Sequence, residues 1–295
     1  MNSKKPLKLR DALHPHLTTS EREFLTTSFD IVGTIAVIEV RDELRHKEKL
    51  IGETLLSSHK NITTVCRRHG EHSGIYRTQK LRIIAGKRTK ETIHKESGCA
   101  LKLHVEKCYF SARSGSERLR IVSLINKTFA ETKKKEDILV MFSGIAPFVC
   151  VIGKNAVYKT LTGIELNKIA HKYAQENCEK NKIKNVQLYN ADVRVHLKNY
   201  TQKFHRIIMP LPRSAEQFLD CALLRLHTGG YVHLYGFLAE DEFEGYKRQI
   251  KTIAESLGFN VNILQLVKCG QFSPRIFRIC VDFQIREKKS KNLKK

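Results

Sequence analysis

Residues 138–148 read ILVMFSGIAPF, and GIE follows at 163–165. An apolar run ending in a Gly-containing turn, then a helical stretch, then a strand closing on an acidic residue opens a nucleotide-binding βαβ unit. Gly144 lets backbone approach a ligand closely. Glu165 follows about 20 residues on, where an acidic side chain takes ribose hydroxyls. The loop is not G-x-G-x-x-G, so by itself this stretch signals a nucleotide only weakly.

Working outward, strands are expected at 138–142, 160–165, 186–190, 204–209, 230–235 and 277–285, with helices near 167–181, 214–226 and 243–257. That alternation predicts an α/β fold, a doubly wound, Rossmann-like parallel sheet with ligands at the strand carboxyl ends. Upstream, FDIVGTIAVIEV from Phe29 is a strand pattern, 44–56 reads as helix, and 63–66, 76–85 and 100–109 read as extended. A helix is expected at 117–131, and the charged run KKKED at 133–137 reads as a hinge or turn. The expected organisation is a polar lead-in at 1–27, a small α/β domain at 28–115 and the Rossmann-like domain at 116–295.

The chain has 295 residues, 41% of them hydrophobic, which suits about two domains. Lys and Arg number 53 against 30 Asp and Glu, a formal charge of +23. Such an excess favours a polyanionic partner, nucleic acid before membrane. No apolar run reaches the ~20 residues of a membrane span, and MNSKKPLKLR is not a signal peptide. The basic tail at 287–295 reads as a solvated end. Eight scattered cysteines form no C-x-x-C pair, so no structural metal is expected. Cys150, Cys221 and Cys280 read as core residues of a reduced, cytoplasmic protein.

The predicted strand ends collect candidate ligand groups: Ser143 to Pro147, Glu165, Asn190-Ala-Asp192, and MPLPRS at 209–214. Each also has a plain structural reading. Glu165 and Asp192 could simply cap helices, and two prolines around Leu211 make a good strand terminator. Upstream, KCYFSARSGSERLR at 107–120 offers an aromatic to stack on a base, arginines for phosphate or carbonyl oxygen, and a carboxylate. It also reads as a strand, a turn and a charged helix start, and the residues alone do not choose.

Taken together, these segments resemble one family. FDIVGTIAVIEV, GIYRTQKLRIIAG, the block from TKETIHKESG to SARSGSER, VMFSGIAPF, GIELN, ADVR, MPLPRSAEQFLD, GGYVHLYGF and KCGQFSPRIFRICVDF cover nearly all of 28–285. They are similar to the archaeal and eukaryotic tRNA guanine-N1 methyltransferases acting at tRNA position 37, class I enzymes that use S-adenosyl-L-methionine. The resemblance implies that Glu117 is the general base at guanine N1 and Arg77 the cation at O6. It implies that Tyr109, Arg113, Arg118, Pro210 and Pro212 shape the pocket for the base. Cofactor contacts are implied for Phe142, Ser143, Gly144, Pro147, Glu165, Leu166, Asp192, Val193 and Met209, with no metal.

The implied partner is the tRNA anticodon stem-loop, gripped by Arg67-Arg68, 80–82 and 87–90 of a monomer. Val140 and Ala146 stand where the commoner loop has Asp and a second Gly, and Pro210 where Asn is usual. These departures mark an archaeal-type branch. The family's separate N-terminal module is not expected in the 27-residue lead-in, which implies looser dependence on tRNA shape. The rival readings are a wyosine-pathway methyl- or aminocarboxypropyl-transferase on the same scaffold, and a non-catalytic tRNA-binding protein.

Overall fold

The computed structural model describes residues 8–211 and 213–288. It forms two compact units, one of residues 1–96 with 100–112, the other of residues 97–99 with 113–295. The boundary expected after residue 115 thus falls after 112.

The first unit begins with α1 (Leu9–Leu13) and α2 (Thr19–Glu23). Four strands follow, β1 (Phe29–Val32), β2 (Ile35–Ile38), β3 (Thr64–Ser73) and β4 (Thr78–Gly86), with α3 (Glu48–Ser58) between β2 and β3. They form one sheet in the order β1-β2-β3-β4, in which only β2 and β3 run parallel, as a helical crossover requires. β5 (Glu91–Glu96) and β6 (Cys99–His104) pair separately. The turn between β1 and β2 needs glycine: at Gly33, φ is +57° and a Cβ would lie 2.3 Å from the Thr92 hydroxyl oxygen.

Residues 8–27 are not a detached lead-in. Leu9, Leu13 and Leu17 are buried against Ile38, Ile51 and Leu55. Glu21, in a capping box with Thr18, accepts from Lys47 Nζ at 2.6 Å. The polar average of this segment hides leucines spaced four apart, one helical face.

The second unit opens with α4 (Gly115–Thr132). Then come β7 (Glu136–Met141), α5 (Pro147–Asn155), β8 (Tyr158–Glu165), α6 (Lys168–Lys180), β9 (Val186–Asn190), α7 (Val193–Lys198) and β10 (Phe204–Met209). α8 (Leu219–Leu224), β11 (Leu226–Ala239), α9 (Phe243–Ser256), β12 (Phe259–Ser273) and β13 (Ile276–Lys288) complete it. The seven strands are ordered β12-β13-β11-β10-β7-β8-β9. The chain runs outward through β7, β8 and β9, then returns to the other side of β7, so the sheet's direction of travel reverses between β7 and β10. In such sheets a crevice opens at that point, above the carboxyl ends.

Three expectations are corrected. The sheet is not wholly parallel: β13 is antiparallel to both β11 and β12. The helix expected at 214–226 starts after Ser214, which is left-handed at φ +62°, and is split at Phe218, off helical geometry at φ −107°, ψ 10°, into a 3-10 turn, Ala215–Phe218, and α8. The charged hinge expected at 133–137 spans only 133–135, opening at Lys133, left-handed at φ +58°, while Glu136 and Asp137 lie buried in β7.

Glu136 is buried because it has a partner. Arg206 of β10 grips it through Nε at 2.6 Å and Nη2 at 2.9 Å. Arg206 Nη1 also donates to His233 Nε2 of β11 at 2.7 Å. The accepting Nε2 puts the imidazole proton on Nδ1, which donates to Asp282 of β13 at 2.5 Å. Asp282 in turn accepts from Arg120 of α4 at 2.5 Å, and Arg120 holds Glu117 with two hydrogen bonds of 2.7 and 2.8 Å. A continuous polar seam therefore runs from β7 through β10, β11 and β13 to α4.

Burial lowers the His233 pKa against the pull of Asp282, so the imidazole is neutral in the fold. Its stabilising share is present above about 6.5, the value in the unfolded chain, and is lost as pH falls below it. In urea titrations between pH 7 and 5, His233→Gln is expected to make the loss of stability with falling pH shallower by up to one proton, about 1.4 kcal/mol per pH unit. An unchanged slope would refute the neutral assignment.

Candidate active site

The carboxyl ends of β10, β7, β8 and β9 lie side by side in the second unit. They bring together Phe142, Ser143, Gly144, Glu165, Leu166, Asp192, Val193 and Met209 from the sequence expectations. The loop after β7 turns sharply, with positive φ at Phe142 (55°), Gly144 (57°) and Ala146 (65°), before Pro147 starts α5. Proline at a helix start suits its fixed φ and missing N–H.

Glu165 is the hinge of this region. Its Oε2 accepts from Gly144 N and its Oε1 from Asn167 N, both at 2.7 Å. Burial pushes its pKa up, against backbone N–H groups of Asn167, Gly144 and Leu166 that favour the carboxylate. Each oxygen has lone-pair capacity beyond one hydrogen bond, so the clamped carboxylate can still accept from two vicinal hydroxyls. Gly163 allows the loop in close, since a Cβ there would lie 3.1 Å from Ser143 Oγ and 2.8 Å from Leu188. Asn190 Nδ2 donates to the carbonyls of Glu165 (2.8 Å) and Leu166 (3.1 Å), tying the end of β9 to the end of β8.

Asp192 caps α7 through Oδ1, which accepts from Arg194 N and Val195 N. Leu166 offers a partly exposed apolar surface beside Glu165, whereas Val193 and Met209 are buried in the core. Phe142 packs edge-on to Phe218, with ring centroids 4.9 Å apart. A clamped carboxylate, a capping aspartate and a glycine-cleared loop on adjacent strand ends fit the adenosine half of S-adenosyl-L-methionine.

Glu117, in the first turn of α4, is buried. Besides Arg120 it accepts from the Tyr235 hydroxyl at 2.6 Å. Burial and the nearby acidic groups push the Tyr235 phenol up, keeping it a donor. Arg118 is buried, its guanidinium 5.9 Å from the Phe148 ring centroid, while Arg113 is exposed. Pro210 follows β10 directly; Pro212 lies outside the described residues. Arg120, Tyr235, His233 and Asp282 escaped the sequence reading. For Tyr235, His233 and Asp282 the signal was a polar side chain inside an apolar strand pattern (YVHLYGF, ICVDF), where burial demands a partner.

His233, Cys280 and Asp282 bring ligand-type atoms within 4.8 Å. Arg206, Arg120 and Gln265 already occupy the His233 and Asp282 atoms, so the group belongs to the polar seam.

In the first unit, Arg77 sits in the β3–β4 turn at φ 50°, its N–H bonded to Gly74 O. Tyr109 is half-buried in the segment after β6. The basic groups expected to grip RNA divide. Arg67 is buried against Glu48 at 2.5 Å, Arg68 pairs with Asp30 at 2.5 Å, and Lys90 with Glu106 at 2.5 Å. Lys80, Arg82, Lys87 and Arg88 are exposed. Counting cations in sequence cannot separate those that hold the domain together from those that face solvent.

A seven-stranded sheet reversing between β7 and β10, with an acidic residue clamped at the end of its second strand, defines a class I S-adenosylmethionine-dependent methyltransferase. The chain belongs to the TRM5/TYW2 methyltransferase family: that domain's model matches residues 92–264, and the TYW2 N-terminal domain matches residues 9–89.

Trm5b of Pyrococcus abyssi, a tRNA (guanine(37)-N(1))-methyltransferase, is 37% identical over 265 residues, 90% of this chain and 76% of that protein. Its crystal structure superposes with a TM-score of 0.84 at 35% identity, covering 97% of this chain and 82% of that one. The structure of aTrm5 in complex with tRNALeu gives 0.81 at 28% identity, covering 96% and 79%. Taw22 of Nanoarchaeum equitans, a tRNA (guanine(37)-N(1))/4-demethylwyosine(37)-methyltransferase, is 30% identical over 78% of this chain and 90% of its own. No helix among the described residues is long and apolar enough to cross a membrane.

Two variants test the loop. Ala146 carries a left-handed backbone that costs an L-residue roughly 1–2 kcal/mol, so Ala146→Gly should raise unfolding stability by about 1 kcal/mol; equal or lower stability would refute the strain. Glu165→Gln must turn an amide N–H₂ toward Gly144 N or Asn167 N. S-adenosylmethionine binding by calorimetry should weaken about tenfold or more, the scale of one lost charge-assisted bond. Undiminished binding would remove Glu165 from the site.

Proposed function

We propose that this protein transfers the methyl group of S-adenosyl-L-methionine to N1 of the guanine at tRNA position 37. Its likeness to Trm5b along 90% of the chain, with Glu117 buried at the start of α4, carries this reading. Glu165 holds the ribose hydroxyls, and Asp192 with Leu166 holds the adenine side. When bound, the cofactor supplies an electrophilic methyl group on a sulfonium.

Neutral guanine N1 carries a proton and is a poor nucleophile. Glu117 takes that proton, general-base help on the order of 10²–10⁴-fold. Arg120 and Tyr235 hold the carboxylate in one orientation throughout, so its reorganisation cost is met in folding. The resemblance assigns to Arg77 the stabilising of negative charge on O6 as the proton leaves. Arg113, Arg118 and Pro210 shape the base pocket, the resemblance assigns Tyr109 a part in it, and Lys80, Arg82, Lys87 and Arg88 bind the stem-loop phosphates. Phosphate contacts of this kind position the RNA without reading its sequence, and the enzyme acts as a monomer.

A second acceptor is favoured by two findings: the N-terminal domain matches the TYW2 model, and Taw22 is named for guanine and 4-demethylwyosine alike. Mass analysis of nucleosides from tRNA carrying either base distinguishes methyl from aminocarboxypropyl transfer.

Glu117→Gln should lower methyl transfer to a transcript bearing G37 at least 100-fold, with cofactor affinity intact by calorimetry. The wild type should leave an A37 transcript unmodified. Full activity in the variant, or equal transfer to A37, would overturn the assignment.

A further inference from the structure

Past the point where β10 ends, β11, β13 and β12 continue as a three-stranded extension. Met209, the last residue of β10, pairs with Leu234, and β11 runs on to Ala239. On this extension Phe237 and Phe272 stack, with centroids 4.1 Å apart at 28°. Phe272 is 47% exposed, so part of its ring is open to solvent. Two arginines flank the pair. Arg278, bonded to Ser114 Oγ three residues before Glu117, lies 5.6 Å from the Phe237 centroid. Arg213, exposed in the loop after β10, lies over Phe272 at 6.0 Å.

Phe237 covers one face of Phe272, and the Arg213 guanidinium lies 6.0 Å from the same ring's centroid. A planar base needs about 3.5 Å on each side. Admitting one between Phe272 and Arg213 requires the 6.0 Å separation to widen by about 1 Å, a shift of an exposed side chain. Aromatic and guanidinium planes are the surfaces on which unpaired bases stack, and the chain's net charge of +23 suits a polyanion.

We infer that Phe272 and Arg213 form a slot for an unpaired base next to the one that is methylated. The inference rests on the tRNA reading above and names a further contact for that substrate. Arg278, beside Phe237, ties the aromatic pair to Ser114 in the residues just before the first turn of α4, which carries Glu117. Through that link the slot adjoins the helix start that carries the group proposed to meet the target base, the side on which a neighbouring nucleotide would lie.

The test uses the full chain and anticodon stem-loop RNAs that are intact or abasic at the 5′ or the 3′ neighbour of the target guanine. Phe272→Ala should raise the KM for intact RNA about tenfold, within the range for loss of one stacked base, with kcat and cofactor affinity unchanged. On the RNA lacking the base that occupies the slot, the same variant should cost nothing, and Phe272→Trp should restore the intact-RNA KM. An unchanged KM, or an equal loss on all three RNAs, would overturn the slot while leaving the methyltransferase reading intact. Wild-type protein that neither binds nor methylates intact RNA would overturn both.

Discussion

Arg206 sits between Glu136 and His233 with almost no exposure, and the arrangement of the second unit depends on it. Removing a guanidinium and a carboxylate from water costs several kcal/mol each, so the pair adds little net stability and would be ruinous if half of it were missing. What it contributes is alignment. Glu136, Arg206, His233, Asp282 and Arg120 come from β7, β10, β11, β13 and α4, and their bonds close only in one register. A slip of one residue in any strand would turn its polar member to the opposite face. The last link is Glu117, so the carboxylate proposed as the base is positioned by the core of the sheet and not by a loop.

The cofactor half depends on register in a simpler way. Val140 pairs with Gly163, and Gly163 with Leu188, which sets the ends of β7, β8 and β9 level. Only then can Glu165 reach the Gly144 N–H across the loop and Asn190 reach back to the Glu165 carbonyl. Val140, where the commoner family loop has an acid, is fully buried among these strands, which explains why a hydrophobic residue fits there. Ala146 instead keeps the glycine-like backbone at the cost of some strain.

Much of this was legible in the sequence because its signals are local. The run at 138–148, the acid at 165 and Asp192 before α7 each sit on a strand end with its own turn chemistry, and the structure brings those ends together. β12 was missed because it breaks the period of two: register shifts at Asn260/Val261, Ile263/Gln265, Lys268/Gly270 and Gln271/Ser273 interrupt its alternation. Glu136 and Asp137 read as a hinge because their charge is neutralised by partners far along the chain, Arg206 and Lys159. The same long-range pairing made Arg67 and Arg68 look like RNA ligands. Tertiary ion pairs leave no mark on the local pattern, and these errors share that cause.

The clamp on Glu165 has a consequence for turnover. Both of its oxygens are held by loop N–H groups, and Asn190 locks the neighbouring strand end to it, so the fold itself fixes where the carboxylate stands. Ribose and adenine are the same before and after the methyl group departs. If Glu165 and Asp192 grip those parts as proposed, the spent cofactor is held about as firmly as the fresh one. The enzyme would then be inhibited by its own product, and its working rate in a cell would follow the ratio of the two forms more than the amount of methyl donor.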